Sequence, residues 1–333
     1  MGLSKHPVKV LLGLSLLAVA AVMTAPFFGG FALPFSVIWG DATRMESLVF
    51  WQMRVPQVMV AFLAGAGLSV SGMAFQAMFR NPLATPFTLG VASGASLGAA
   101  LYLRAGLHLN LPGIPGVSVA AFLGAFAAIV LVYSLTTGRR KLSGASILLA
   151  GVAVSFCCSS LLLFVQYISR VGHSIRIMHW LMGGMQVFGY ADVFNVLPFV
   201  LSGAAVLLYY RHELNLLVVG DDIAASRGVA VGRVKLILFL ATSFTVAGVV
   251  AVCGPIGFVG MMMPHIARLI IGSDHRVLTP ASLLSGGIFL VLCDRLARTV
   301  VPPSDIPVGV VTALLGGPFF LWLLIRRGAG GEA

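Results

Sequence analysis

Long stretches of this sequence contain no Asp, Glu, Lys or Arg, and this feature constrains the fold more than any other. The charge-free stretches cover residues 55–79, 81–103, 142–169 and 236–267. A helix needs about 20 apolar residues to cross the roughly 30 Å hydrocarbon core of a bilayer. Each stretch reaches that length, so the sequence predicts an all-α, polytopic membrane protein.

The charged residues are few, and they lie between the apolar stretches. The 333 residues include 21 Lys and Arg and 10 Asp and Glu, while 59% of the residues are hydrophobic. Such a chain has too little polar surface to cover a water-soluble globule. A net charge of +11 also occurs in nucleic-acid-binding proteins, but here the basic residues stand at the ends of apolar stretches, where they set membrane orientation. We therefore predict no nucleic-acid partner.

Run lengths, charges and Pro/Gly clusters predict about ten membrane helices. The stretch at 236–267 is too long for one ordinary span, and the Gly-Pro-Ile-Gly sequence at 254–257 divides it in two. The N-terminal apolar run, which continues to Gly40, is too long for a secretory signal, so we predict a retained first helix. The predicted helices are 8–28, 56–79, 88–104, 115–137, 143–168, 191–210, 235–252, 257–271, 277–299 and 306–325.

The distribution of Lys and Arg predicts the orientation of these helices. With a cytoplasmic N-terminus, 14 of these residues fall on the inner side and 7 on the outer side. Loops rich in Lys and Arg remain preferentially in the cytoplasm. The sequence therefore predicts that both the N- and the C-terminus are cytoplasmic.

The cysteines give no sign of a metal centre or a disulfide framework. Cys157, Cys158, Cys253 and Cys293 all lie in apolar stretches, and none belongs to a CxxC motif or a Cys/His cluster. We predict no metal site and no cofactor bound by this chain.

The loop at 211–235 is the longest and most charged connection on the predicted inner side. Within it, the sequence from Gly220 to Gly228 predicts a short helix, because Asp221 and Asp222 suit its positive N-terminal end and Gly228 suits the position after its last turn. Such a helix is typical either of an interfacial segment or of a docking element, and the pattern alone leaves both interpretations open.

Several segments resemble a known family of membrane proteins. They are Arg-Val-Pro-Gln at 54–57, Gly-Ala-Gly-Leu-Ser-Val-Ser-Gly at 65–72, Arg-Asn-Pro-Leu-Ala-Thr-Pro at 80–86, Leu-Gly-Val-Ala-Ser-Gly-Ala at 89–95, Gly-Pro-Ile-Gly-Phe-Val-Gly at 254–260, Pro-His-Ile-Ala-Arg at 264–268, Gly-Ser-Asp-His-Arg at 272–276 and Ile-Pro-Val-Gly-Val-Val-Thr at 306–312. Together they closely resemble the permease subunits of type II ABC importers for ferric siderophores, haem and cobalamin. The resemblance extends from about residue 50 to the C-terminus.

The resemblance implies a partnership of several proteins. The family implies one transmembrane permease domain over 1–333, similar to the cobalamin permease, which forms a homodimer in the bacterial inner membrane with its path at the two-fold axis. Two copies of a separate ABC ATPase would bind the cytoplasmic face, and a periplasmic binding protein would deliver the substrate. The sequence contains no GxxxxGK[ST] motif, so ATP and Mg are expected on the ATPase and this chain is not predicted to be an enzyme.

The resemblance also assigns roles to the two faces. The loop at 211–235 matches the coupling loop of the family, which favours docking of the short helix to the ATPase. The arginines that receive the carboxylates of the binding protein match Arg54 and Arg298, with Arg295 as a candidate substitute for a second arginine that Gln57 replaces. Asp305 stands where the family often has Glu. The predicted coupling residues are Gly220, Asp221, Asp222, Ala225, Arg227 and Gly228.

The segment at 169–190 is predicted to be a helix near the outer mouth of the path. An amphipathic interfacial helix is one interpretation, and the other is a gate helix, because the family places one after its fifth span. The candidate gate residues are Arg176, His179, Met182 and Met185. His and Met side chains can contact haem iron, although Met also fills gaps in apolar cores.

Cargo and reaction class leave alternatives open. The family resemblance favours a ferric siderophore or another iron complex, with haem or cobalamin as the alternative cargo. An intramembrane hydrolase is a weaker alternative, because no HExxH motif is present and Asp192 and Asp294 lie near the predicted outer helix ends. A passive channel would not explain the coupling loop.

Overall fold

A computed structural model describes residues 7–29, 33–39, 43–107, 109–137, 144–185, 187–301 and 305–328. Within these residues the chain is almost entirely helical. Its strands are β1 (Asn110–Leu111) and β2 (Ile114–Pro115), which pair antiparallel in one short hairpin. The predicted all-α class is confirmed.

All ten predicted helices have a counterpart whose ends agree within four residues. Four further helices are short: α2 (Arg44–Leu48), α7 (Val171–Leu181), α9 (Arg211–Val219) and α10 (Asp221–Ser226). The ten counterparts are α1 (Pro7–Thr24), α3 (Val55–Phe79), α4 (Val91–Ala105), α5 (Gly116–Thr137), α6 (Gly144–Tyr167), α8 (Ala191–Tyr209), α11 (Val231–Cys253), α12 (Val259–Ile271), α13 (His275–Thr299) and α14 (Val308–Gly328).

The counterparts differ in how well they match the thickness of a membrane. Among the described residues, 7 helices are long and apolar enough to cross it: α1, α3, α5, α6, α8, α11 and α13. Helix α12 and the part of α14 at Val308–Leu323 are apolar but shorter, and α4 has 15 residues.

Helix α3 forms the centre of the bundle, because it packs against α8, α11, α12 and α13 and is buried over most of its length. Glycines allow these close approaches. A Cβ atom at Gly65 would collide with the carbonyl oxygen of Gly286, and one at Gly72 would collide with that of Gly260. Small residues at such crossings bring helix backbones together in a membrane, where packing drives association.

The predicted division of the 236–267 stretch is confirmed. Helix α11 ends at Cys253, and α12 begins at Val259. The turn between them contains two left-handed residues, Gly254 with φ +69° and Phe258 with φ +68°. A non-glycine residue in this region is uncommon, so the turn is held by its surroundings rather than by local preference.

Helix α6 lies at the edge of the bundle. Only 17% of its most apolar window is buried, and large side chains including Leu149, Phe156 and Leu163 are exposed. On a membrane protein, such a face contacts lipid or another apolar protein surface.

Candidate coupling and docking sites

The predicted short helix of the coupling loop is confirmed as α10. Its C-terminal end forms a Schellman motif: the Gly228 N–H donates to the Ala225 carbonyl at 3.0 Å, and the Val229 N–H donates to the Ala224 carbonyl at 3.0 Å. Gly228 has φ +84°, and a Cβ atom there would meet nothing within 4 Å. Glycine is therefore required at this position by backbone conformation and not by space.

The two adjacent aspartates of α10 have different surroundings. The Asp221 Oδ2 atom lies 2.6 Å from the Lys235 Nζ atom, and Lys235 is buried at the start of α11. Asp222 is exposed. The sequence did not indicate a role for Lys235, although it is the lysine closest to the two aspartates along the chain.

The remaining predicted coupling residues lie at the surface. Ala225, Arg227 and Gly228 are exposed, as is Ile223 of the same helix. Gly220 is buried at the junction of α9 and α10. Five of the six predicted coupling residues are thus on one short helix and its C-terminal turn, and Asp222, Ala225, Arg227 and Gly228 are exposed.

A second contact anchors the coupling loop to α13. The Asn215 side chain of α9 donates from Nδ2 to Asp274 Oδ1 at 2.8 Å, and its Oδ1 accepts from the His275 backbone N–H at 2.9 Å. The His275 Nδ1 atom also lies 2.8 Å from that oxygen. Asp274 caps α13 by accepting from the Arg276 N–H at 2.9 Å. Sequence reasoning missed this cluster, because Asn215 and Asp274 are 59 residues apart.

The cluster affects the acidity of Asp274, which lies outside the spanning helices. Burial raises the pKa of this carboxyl, but hydrogen bonds from the Arg276 N–H and the Asn215 amide outweigh burial. The pKa of Asp274 therefore lies below its usual value.

The opposite end of the bundle holds the predicted docking arginines. We call it the outer end, because the predicted orientation places it outside. Arg54 and Arg298 are only 6% and 5% exposed, so the structure places them inside the protein rather than on an open surface. The Arg54 Nη1 atom donates to the Pro26 carbonyl at 3.2 Å. The Arg295 guanidinium lies 3.7 Å from the centroid of the Phe28 ring.

Asp294 organises this outer end. Its Oδ2 accepts from Arg298 Nη2 at 2.6 Å, and its Oδ1 accepts from Gln57 Nε2 at 2.8 Å. Gln57 thus joins the start of α3 to the end of α13. The sequence pointed to Asp294 only as a member of the disfavoured hydrolase pair with Asp192. Its spacing of four residues from Arg298 is the signal that could have identified the ion pair.

A helix within the predicted segment at 169–190 is present as α7, and the four candidate gate residues differ in exposure. Arg176 and His179 are exposed, Met182 is half-buried and Met185 is buried in the main apolar core. Among the residues that the structure describes, no group of three or more His, Cys, Asp or Glu side chains could hold a metal ion.

Backbone hydrogen bonds tie the chain after α7 to two other segments. The Gly184 N–H donates to the Cys253 carbonyl at 2.9 Å, at the end of α11. The Gly309 N–H donates to the Gly183 carbonyl at 3.2 Å, at the start of α14. Gly183 has φ +67°, and a Cβ atom there would collide with the Pro255 carbonyl. Three segments therefore meet at one glycine-lined junction.

Spanning helices packed around a buried α3, with an anchored surface helix at one end, define the class of protein as a multi-pass helical membrane protein. The model of the FecCD transport family matches residues 13–326, and the chain belongs to this family.

Related proteins agree with this assignment. The chain is 36% identical to the hemin transport system permease protein HmuU of Yersinia pestis, over 96% of each chain. It is 42% identical to the cobalamin import system permease protein BtuC of Halobacterium salinarum, over 82% of this chain and 72% of the relative. These relatives are permease subunits and not enzymes.

The fold also matches a solved structure. A structure described as an inward-facing conformation of a metal-chelate type ABC transporter superposes with a TM-score of 0.86 and 30% identity, covering 96% of this chain and 99% of the other. The chain is therefore a permease subunit of an ABC transporter.

Proposed function

We propose that this chain is the permease of an ATP-driven importer that moves a metal chelate, a ferric siderophore or another iron complex, from the periplasm to the cytoplasm. The observation that carries the proposal is the capped helix α10. It exposes Asp222 and Arg227 while its neighbour Asp221 is fixed to a spanning helix. A surface helix held in this way can transmit the movement of an ATPase to the membrane domain.

The anchors define the route of this movement. Lys235 ties α10 to α11, and Asn215 ties α9 to α13. Since both contacts join charged or amide groups at partly buried positions, a shift of the coupling loop must either move these helices or break the contacts. ATP and Mg would be bound by the partner ATPase, two copies of which would serve a homodimer of this chain.

The exposed apolar faces of α6 and α14 support the homodimer. Phe156 of α6 is 71% exposed, and Leu314 of α14 is 69% exposed. Pairing such faces around a two-fold axis would create a wide, weakly binding path. An apolar path of this kind suits a bulky chelate, because a translocation site must release its cargo.

Docking of a periplasmic binding protein is proposed at the outer end. Arg298 uses Nη2 for Asp294, while its Nη1 has no hydrogen-bond partner among the described residues. Because that donor is buried, it reaches a carboxylate of a partner at the end of α13 only after the residues that cover it move. Arg54 and Arg295 lie at the same end and add positive charge, which favours an acidic surface and gives salt-sensitive association.

Haem and cobalamin are the second cargo class, because the relatives above are named for hemin and cobalamin transport. His179 and Arg176, both exposed on α7, could contact the iron and the propionates of haem.

The test is uptake by proteoliposomes that contain the full chain, its ATPase and its binding protein. We expect ATP-dependent accumulation of a ferric siderophore in preference to haem and cobalamin, with uptake lost in Gly228→Val. If only haem or only cobalamin accumulated, that compound would replace the ferric siderophore as the proposed cargo. ATP-independent uptake of all three would contradict the importer.

A further inference from the structure

A cavity of about 930 Å³ lies at the outer end of α4, α5 and α6, and neither coupling-loop residues nor the docking arginines line it. It is formed where α4 ends, α5 begins and α6 passes into α7. Its principal lining residues are Leu101, Tyr102, Arg104, Leu123, Arg170 and His173. The volume falls within the range of small-molecule sites.

The cavity carries positive charge without a counter-ion. Arg104 and Arg170 are exposed, and neither forms an ion pair with a described residue. The described lining residues include no Asp or Glu. Two guanidinium groups at one opening suit an anion, and their forked donors suit phosphate oxygens.

The polar part of the wall is held in place by hydrogen bonds. The His173 Nδ1 atom lies 2.7 Å from the Leu103 carbonyl, which fixes the start of α7 against the end of α4. The Tyr102 hydroxyl accepts from the Leu109 N–H at 2.9 Å. The opening is thus ordered before any ligand arrives.

Apolar surface continues from the cavity along the helices. Leu101 is 48% exposed on α4, and Leu123 is 59% exposed on α5. Leu101 comes three residues before Arg104 on α4, and Leu123 comes seven residues after the start of α5, so both lie further from the outer end of these helices than Arg104. An anion with a hydrocarbon chain can pair with the arginines and also cover the apolar surface. An acidic protein surface would pair only with the arginines.

We propose that this cavity binds the phosphate headgroup of an anionic phospholipid, with an acyl chain along Leu101 and Leu123. Basic residues near a bilayer surface attract anionic lipid with about 1 kcal/mol each, which is a factor of about five in Kd. Removing both arginines should therefore weaken binding about 25-fold.

The experiment measures lipid affinity of the purified, delipidated full chain by native mass spectrometry, with dioleoyl phosphatidylglycerol as the probe. We expect R104Q/R170Q to raise Kd by about 25-fold. The matched control is Arg44→Gln, an exposed arginine at the same end that does not line the cavity, and its Kd should equal that of the wild type.

Two further measurements distinguish an anionic lipid headgroup from a zwitterionic lipid and from free phosphate. We expect phosphatidylcholine to bind at least tenfold more weakly than phosphatidylglycerol, and inorganic phosphate not to displace it. Equal binding of phosphatidylcholine, displacement by inorganic phosphate, or equal losses in Arg44→Gln and the double variant would each overturn the proposal. Weaker docking of the binding protein with unchanged lipid affinity would assign the arginines to a protein surface instead.

A measurement on the wild type guards against misfolding of the variants. Raising NaCl from about 50 to 500 mM should weaken phosphatidylglycerol binding, because salt screens exposed charges. Salt-independent binding would show that the arginines do not hold the headgroup.

Discussion

At the residue scale, neighbouring positions with the same chemistry have different roles. Asp221 is bound to the buried Lys235, whereas Asp222 is exposed. The sequence treated them as a pair, because both suit a helix N-terminus. The distinction depends on a residue 14 positions away, which no local pattern specifies.

The Asp221–Lys235 pair gives an asymmetric prediction. Asp221→Asn should lower the free energy of unfolding by about 2 kcal/mol, because it leaves a buried ammonium without its carboxylate. Lys235→Met should lower it by less, since it removes the charge and keeps an apolar chain in place. Unfolding in detergent measures both, and equal losses would contradict the account.

The Asp274 contacts give a pH-dependent prediction. The pKa of Asp274 is lower in the folded than in the unfolded chain, so its stabilisation is complete above the unfolded pKa of about 3.9. It is lost as the pH falls through the folded pKa. At pH 7, Asp274→Asn should have a lower Tm than wild type, and this gap should narrow below about pH 4. A constant gap between pH 7 and 3 would show that the carboxylate charge is irrelevant.

At the scale of elements, the sequence predicted helices better than the contacts between them. Charge-free runs and the 254–257 turn placed helix ends within a few residues, because a membrane forces helical structure on any long apolar run. The Gln57–Asp294 contact joins residues 237 positions apart, and the Asn215–Asp274 contact joins residues 59 apart. Neither contact has a local signature, so neither the Asp294 cluster at the outer end nor the Asn215 anchor of the coupling loop was predictable.

Two glycines near α10 provide a matched pair. Gly228→Ala should lower the free energy of unfolding by about 1 kcal/mol, because alanine disfavours φ +84°. Gly232→Ala should be neutral or stabilising by about 0.5 kcal/mol, because that residue is inside α11 and has open space. ATPase association should weaken only in the first variant. If the two variants had the same stability and the same ATPase association, a left-handed glycine at position 228 would not be required.

At the scale of the whole molecule, the positions of the basic residues predict the orientation in the membrane. The helices alternate in direction, so α9 and α10 lie at the end opposite to α7. If the N-terminus is cytoplasmic, a cysteine at Asp222 should be protected from impermeant maleimide added outside intact cells. A cysteine at Ser174 should react. Labelling at residue 222 without labelling at residue 174 would show that the orientation is opposite to the predicted one.

The junction at Gly183 has a mechanical consequence. The Gly183 carbonyl accepts a hydrogen bond from the start of α14, and the Gly184 N–H donates one to the end of α11. Main-chain hydrogen bonds therefore connect the chain after α7 to two other helices. Substitutions of exposed α7 side chains do not remove these hydrogen bonds, because main-chain atoms form them. A change of side chains on α7 therefore leaves intact the backbone connection between the end of α7, the turn after α11 and the start of α14.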